Sequence, residues 1–138
     1  VALIVNGTNT SGAAAAVIPV RLALLAGLAT TTTSSGHDVL GYLTLAASDY
    51  ARSGLTTTLI LEAVGRVVSG VTGTLVLWDG DSDSAAATLT WTGTELDRKT
   101  ASVTVPTETT YELRWSKSGG GDEDFAVVAA VNLIVDWS

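Results

Sequence analysis

The sequence has no cysteine, only one histidine, and few charged residues: 15% over 138 residues. Without cysteine there is no disulfide framework, and the redox compartment is left open by composition. A chain of this length buries roughly 70% of the surface its unfolded form exposes, so its core needs neither a disulfide nor a metal as a staple. A single histidine, His37, leaves almost no scope for a histidine-based triad, since its sequence neighbours Ser34 and Asp38 are no substitute for a nucleophile and an orienting acid folded around it. Sparse charge with 46% apolar residues points instead to extensive buried or contact surface, as at the centre of an oligomer interface. Val1–Gly7 (VALIVNG) has no basic segment and too short an apolar run for a secretion signal, so no targeting segment is expected. The longest apolar stretch, Ala13–Ala29, is broken by Pro19 and Arg21 and falls short of a membrane span.

What is present is threonine and valine, residues whose branched side chains suit a pleated surface. The formal charge of −7 is unevenly placed. Residues 1–70 balance three acids with three bases, whereas residues 71–138 set eleven acids against four bases. So acidic a half would be repelled by phosphate, and nucleic acid is not an expected partner.

The organising stretch is Thr74–Trp115, which reads as four strands separated by three polar turns. Ala87, Leu89 and Trp91 alternate with threonines, and Tyr111, Leu113 and Trp115 alternate with Glu112, Arg114 and Ser116, the pattern of a ribbon with one buried and one wet face. Upstream, Asp38–Leu45 and Leu55–Val68 read as strands, the latter with Leu59, Leu61, Ala63, Gly65 and Val67 on one face. Gly65 marks a bulge or a close backbone approach. Ala46–Gly54 reads as a loop with room for one helical turn. Asp124–Trp137 reads as a final strand with Phe125, Val127, Ala129, Val131, Leu133, Val135 and Trp137 on one face and a largely apolar second face, as in a central or interface strand. Ala13–Ala29 is ambiguous. Leu22, Leu25 and Leu28 have helical spacing, but Pro19, Gly27 and the valines and isoleucine at 17, 18 and 20 favour one or two strands bent at Pro19, or an arm reaching a neighbouring subunit. The expected fold is all-β: one domain over residues 1–138, an antiparallel two-sheet sandwich, jelly-roll-like, with eight to ten strands. Residues 1–36 are candidates for an N-terminal arm.

Candidates for chemistry are few. Asp79, Asp81 and Asp83 have the alternating acids that open a calcium loop, with Asp122, Glu123 and Asp124 as further oxygen donors, but the twelfth position is Thr90 rather than the bidentate glutamate of an EF-hand. A solvated hairpin tip is the plainer reading, and no other cofactor is expected. Glu62 is the best single carboxylate for acid–base work, being inside a strand, yet no second carboxylate is identifiable, and pairing with an arginine or facing solvent is the simpler expectation. Four tryptophans (78, 91, 115, 137) and three tyrosines (42, 50, 111) could form a sugar-stacking platform; their place in alternating strands favours core packing.

The order of Asp49-Tyr50-Ala51, Leu61-Glu62-Ala63, Gly73-Thr74 leading into LVLWDGD, Ala87-Thr88-Leu89-Thr90, Arg98-Lys99-Thr100 and Tyr111-Glu112-Leu113-Arg114 resembles small jelly-roll-like β-sandwich virion proteins of tailed bacteriophages. The resemblance covers roughly residues 37–137. It implies a structural, non-enzymatic role: a capsid decoration or cementing protein on the outer surface of the virion, a homotrimer bound between capsomers of a major capsid protein, with no nucleic acid or membrane partner. The apolar, near-neutral N-terminal region supplies the expected contact residues Leu3, Val5, Val17, Ile18, Leu22, Leu24 and Leu25. The rival expectation is a receptor- or glycan-binding module of a tail fibre or spike, and an enzyme using His37 or Glu62 is the third.

Overall fold

The computed structural model describes residues 18–32 and 35–138. Among these residues eight strands form: β1 (Val20–Thr31), β2 (Asp38–Ala46), β3 (Thr57–Val67), β4 (Val71–Asp79), β5 (Ser84–Trp91), β6 (Asp97–Val103), β7 (Glu108–Gly119) and β8 (Ala126–Trp137). A single 3-10 turn at Ala47–Asp49 follows β2. One sheet has the order β1-β8-β3-β6 and the other β2-β7-β4-β5, with antiparallel pairing throughout. The expected two-sheet antiparallel sandwich is therefore found, and the strand order is that of an eight-stranded jelly roll.

Every connection but one crosses from sheet to sheet. Only β4 and β5 make a hairpin within a sheet. The four strands of Thr74–Trp115 consequently do not form one ribbon: β4, β5 and β7 share a sheet, while β6 pairs with β3 in the other. Alternation along a strand identifies its wet face, but it does not say which sheet the strand joins.

The inner faces follow the expected alternation in β3, β5 and β7. Leu59, Leu61, Ala63 and Val67 of β3, Leu89 and Trp91 of β5, and Tyr111, Leu113 and Trp115 of β7 are all buried in one core. In β8 the expected single face is broken. Ala130 takes φ 49°, and the register with β3 slips by one residue between Glu62 and Val64. An extra residue in one strand reverses the side-chain phase beyond it. Ala126 and Val128 point into the core before the bulge, and Val131, Leu133, Val135 and Trp137 after it. Val127 and Ala129 therefore do not share the face of Val131, which corrects the sequence expectation.

β1 owes its ambiguous spacing to the same device. Its register with β8 shifts between Ala23 and Leu25 and again between Leu25 and Leu28. The shifts let the adjacent Leu24 and Leu25 both pack against the core, along with Val20 and Leu22. The helix-like spacing of Leu22, Leu25 and Leu28 is a bulged strand, starting at the residue after Pro19. Thr31, buried at the end of β1, donates a hydroxyl hydrogen bond to Asp38 Oδ2 at the start of β2 and ties the two strands together.

At the centre, the rings of Trp91 and Trp115 meet edge to face, with centroids 5.7 Å apart and an interplanar angle of 82°. Such pairs contribute about 0.5–1.5 kcal/mol beyond their buried area. Each indole N–H is satisfied by a backbone carbonyl: Trp91 by Asp97 at 2.7 Å, Trp115 by Ala126 at 3.3 Å. Trp137 does the same at the sandwich end, donating to the Tyr50 carbonyl at 2.7 Å, while Arg52 lies 4.0 Å over its ring. The central rings have room because two glycines face them. A Cβ on Gly65 would lie 2.8 Å from the Trp91 ring, and one on Gly73 would lie 2.7 Å from the Trp115 ring. Of the two sequence readings of Gly65, close approach is the one realised, to the Trp91 ring and to the Val127 backbone carbonyl, which would lie 3.1 Å from an added Cβ.

The glycines give a graded test. Gly65→Ala and Gly73→Ala must displace an indole ring and are expected to destabilise by about 1–3 kcal/mol each. Gly27→Ala meets nothing within 4 Å on β1 and is expected to stay within about 0.5 kcal/mol of the parent. Urea unfolding followed by tryptophan fluorescence measures all three.

Candidate functional site

The acidic hairpin between β4 and β5 comes first, since Asp79, Asp81 and Asp83 were the calcium candidates, beside the plainer expectation of a solvated hairpin tip. Asp79 Oδ1 accepts the backbone N–H groups of Asp81 (2.9 Å) and Ser82 (3.1 Å) and the hydroxyl of buried Thr109. The Thr109 hydrogen bond, with those from the loop, holds the Asp79 carboxyl below the ordinary carboxylate range, against a smaller opposing effect of burial. The side chain that would open a calcium loop is committed to building the turn. Asp81 and Asp83 are exposed, and among the described residues no three acids or histidines gather as a metal-binding group. In the other acidic loop, Asp124 Oδ2 accepts the Gly121 N–H at 2.7 Å, again a turn contact. Among the described residues the candidate calcium ligands are not gathered into one group, and Asp79 fits the hairpin-tip reading.

The two residues considered for catalysis lie on opposite outer faces. Glu62 projects from β3 on the outside of the β1-β8-β3-β6 sheet. It accepts hydrogen bonds from Arg21 of β1 on Oε1 and Arg98 of β6 on Oε2. Burial alone would raise its pKa; the two guanidinium groups outweigh that and hold it below the ordinary range. A carboxylate clamped in this way is a poor proton acceptor, and the arginine partners expected from sequence are now identified. His37 lies beside the other sheet, with Nε2 3.3 Å from Glu112 Oε1. Asp38 is engaged with Thr31, and Ser34 lies outside the described residues.

The aromatics divide cleanly. Trp91, Trp115 and Tyr111 are no more than 1% exposed, and Trp137 is 5% exposed, so these four belong to the core. Burial, then the negative charge of Asp79, pushes the Tyr111 phenol up to about 12. Among the described residues its hydroxyl has no hydrogen-bond partner. A cleft of about 10 Å³, lined by Leu24, Gly41, Leu43 and Tyr111 among others, opens at the seam between β1 and β2, with room for about one water and no reactant.

Trp78 and Tyr42 are different. They stand on the outer face of the β2-β7-β4-β5 sheet, in one row across three strands: Tyr42 of β2 is paired with Glu112 of β7, which is paired with Trp78 of β4. Tyr42 is 69% exposed. The Arg114 guanidinium lies 4.1 Å over the Trp78 ring and donates its Nε–H to Glu112 Oε1 at 2.9 Å. Sequence alternation placed Glu112 and Arg114 on the wet face; that they form one cluster with His37, Tyr42 and Trp78 follows from strand register.

A second surface lies along the β1 and β2 edges, which end the two sheets on the same side of the sandwich. Together β1 and β2 carry one arginine and one aspartate, Arg21 and Asp38, both engaged by other side chains. Leu28 is 66% exposed and Ile18, just before β1, 43%. Of the residues expected at a subunit contact, Leu22, Leu24 and Leu25 pack partly against the chain's own core. Leu3, Val5 and Val17 lie outside the described residues. Leu28, not among those expected, is the most exposed leucine of β1.

No family model matches the chain, and no curated protein matches it. Among solved structures, it is similar to the carbohydrate-binding module CBM36 in complex with calcium and xylotriose, at 12% identity over 86% of this chain and 99% of the module, with a TM-score of 0.47. It is also similar to the T13 particle of infectious bursal disease virus, at 14% identity and TM-score 0.47, covering 96% of this chain and 38% of that one. A D431N mutant VP2 protein of the same virus, in derived T=1 particles, gives 14% identity and TM-score 0.45, covering 94% of this chain and 39% of that one. The chain thus spans about two fifths of those viral chains and nearly the whole of the module.

The Arg21–Glu62–Arg98 clamp predicts an acid limb in stability. Because the folded pKa of Glu62 lies below its unfolded value, its stabilisation is complete at neutral pH and is lost as pH falls through the folded value. Asp79 contributes with the same sign. Glu62→Gln is expected to cost about 1 kcal/mol at neutral pH, a modest figure because both arginines are solvent-exposed. It should also flatten the fall in melting temperature between about pH 5 and about pH 3. Parallel thermal melts of the two proteins across that range provide the comparison.

Proposed function

We propose that the chain is a virion structural protein: a capsid decoration or cementing subunit that binds between capsomers on the outside of a shell, as a homotrimer contacting the major capsid protein and copies of itself. The observation that carries this reading is the asymmetry of the sandwich. On one side, among the described residues, two sheet edges have no neighbouring strand and little charge, and Leu28 and Ile18 are exposed. The opposite side, from the Asp79–Asp83 hairpin to Lys99, carries five acids and two bases. Open edges without charge are templates for strand pairing with another chain. Apolar side chains beside them add buried area, and the charged side keeps the outer surface solvated.

The mechanism needs no reaction. Each contact is modest, and repetition across a lattice raises the total by effective concentration. The tail-appendage reading differs in copy number: decoration requires hundreds of copies per particle, an appendage a few.

Two measurements bear on this proposal. Cryo-EM of assembled particles should locate the chain at capsomer seams in lattice stoichiometry; its presence only at the tail would overturn the reading. Leu28→Asp should lower occupancy on the particle by about tenfold or more, equivalent to about 1.4 kcal/mol per contact, without unfolding the isolated chain. Occupancy is read by gel densitometry of purified particles and folding by circular dichroism.

A further inference from the structure

We infer that the outer face of the β2-β7-β4-β5 sheet is a binding platform for a neutral oligosaccharide, with Tyr42 as the stacking surface and the Glu112–Arg114 pair as the hydrogen-bonding group. The proposal stands apart from the capsid reading, because it concerns a sheet face rather than the β1 and β2 edges.

Three features of the row across this face carry it. Tyr42 is an aromatic ring 69% exposed on the face of a sheet, where apolar burial within the fold does not account for it. Directly paired with it stands Glu112, whose Oε1 is held by Arg114 Nε at 2.9 Å and approached by His37 Nε2 at 3.3 Å. Arg114 is held in turn by the Trp78 ring beneath it at 4.1 Å. The polar groups are thus fixed before any ligand arrives, and the rotamer entropy lost on binding is small. One row along, the hydroxyls of Thr44 and Thr110 lie 3.0 Å apart on the same face.

The chemistry of this set selects its ligand. A pyranose offers an apolar C–H face to stack on a tyrosine ring and a rim of hydroxyls that both donate and accept. Glu112 accepts such hydrogen bonds and Arg114 donates them, each strengthened by its charge. The pair balances one carboxylate against one guanidinium, so the platform does not favour an ion of either sign. On a chain of net charge −7, phosphate and polyanionic glycans are disfavoured. From Tyr42 to Trp78 the row crosses two strand spacings, roughly 10 Å, the reach of a disaccharide.

The test uses the purified chain and a panel of neutral hexaoses: cellohexaose, xylohexaose, chitohexaose and maltohexaose. Isothermal titration calorimetry is expected to find at least one binder, with a Kd between about 10 μM and about 1 mM. For that hexaose, Tyr42→Ala and Glu112→Gln should each weaken binding tenfold or more while the melting temperature stays within a few degrees of the parent. Leu28→Asp, on the β1 edge, should leave binding unchanged. Titration of a polygalacturonate fragment provides the charged comparison. Failure of all four hexaoses to bind, binding that survives Tyr42→Ala, or preference for the acidic fragment would each overturn the proposal. None of these results depends on where the chain sits in a particle, so loss of the platform and loss of the capsid reading are separately visible.

Discussion

Two indole rings meeting edge to face in the middle of the sandwich set the terms for the rest of the molecule. Trp91 comes from β5 and Trp115 from β7, and they are accommodated only because Gly65 of β3 and Gly73 of β4 present no side chain to them. The contact therefore joins the two sheets through four strands at once. Side chains of this size leave little space elsewhere in a close-packed core, and Ala126, whose carbonyl accepts the Trp115 N–H, is one of the small residues of that core. The indole N–H groups turn the same rings into anchors on backbone carbonyls, which fixes their orientation as well as their burial.

With the interior committed to packing, capacity for interaction lies on the outside, and there the jelly-roll path distributes it. Sheet crossings bring β1 and β2 to the same side as edge strands, while the hairpin joining β4 to β5 is sent to the opposite side. Apolar, uncharged segments near the start of the chain and acidic loops later in it become two sides of one object. The outer sheet faces are different again. One carries Glu62 clamped by arginines on flanking strands, and the other carries the Tyr42, Glu112, Arg114 and Trp78 row. The edge proposed to meet another protein chain and the face proposed to bind a sugar use different strand surfaces, so one does not preclude the other.

What the residues disclosed beforehand was strand alternation. The buried faces of β3, β5 and β7 were legible because side chains in an uninterrupted strand must alternate. β1 and β8 were not legible in phase. A bulge is one residue inserted in the pairing, and Ala130 or the pair Leu24 and Leu25 looks ordinary in the chain until a partner strand shows the slip. The acids of the Asp79–Asp83 hairpin allowed two readings, a cation loop or a hairpin tip, and only the folded turn shows Asp79 accepting the loop's own N–H groups.

By itself, the sequence determined that this is an all-β chain without disulfides, with wet and dry faces along most strands and its excess negative charge in the later half. These are properties of composition and of period two, read without knowing which segments of the chain meet. Only tertiary structure decided which strands share a sheet, which glycines make room for tryptophan, that Glu62 meets Arg21 and Arg98, and that Tyr42, His37, Glu112, Arg114 and Trp78 form one surface. Those outcomes depend on register between segments far apart in the chain. Register is set by the packing of the whole core, for which no local stretch carries the information.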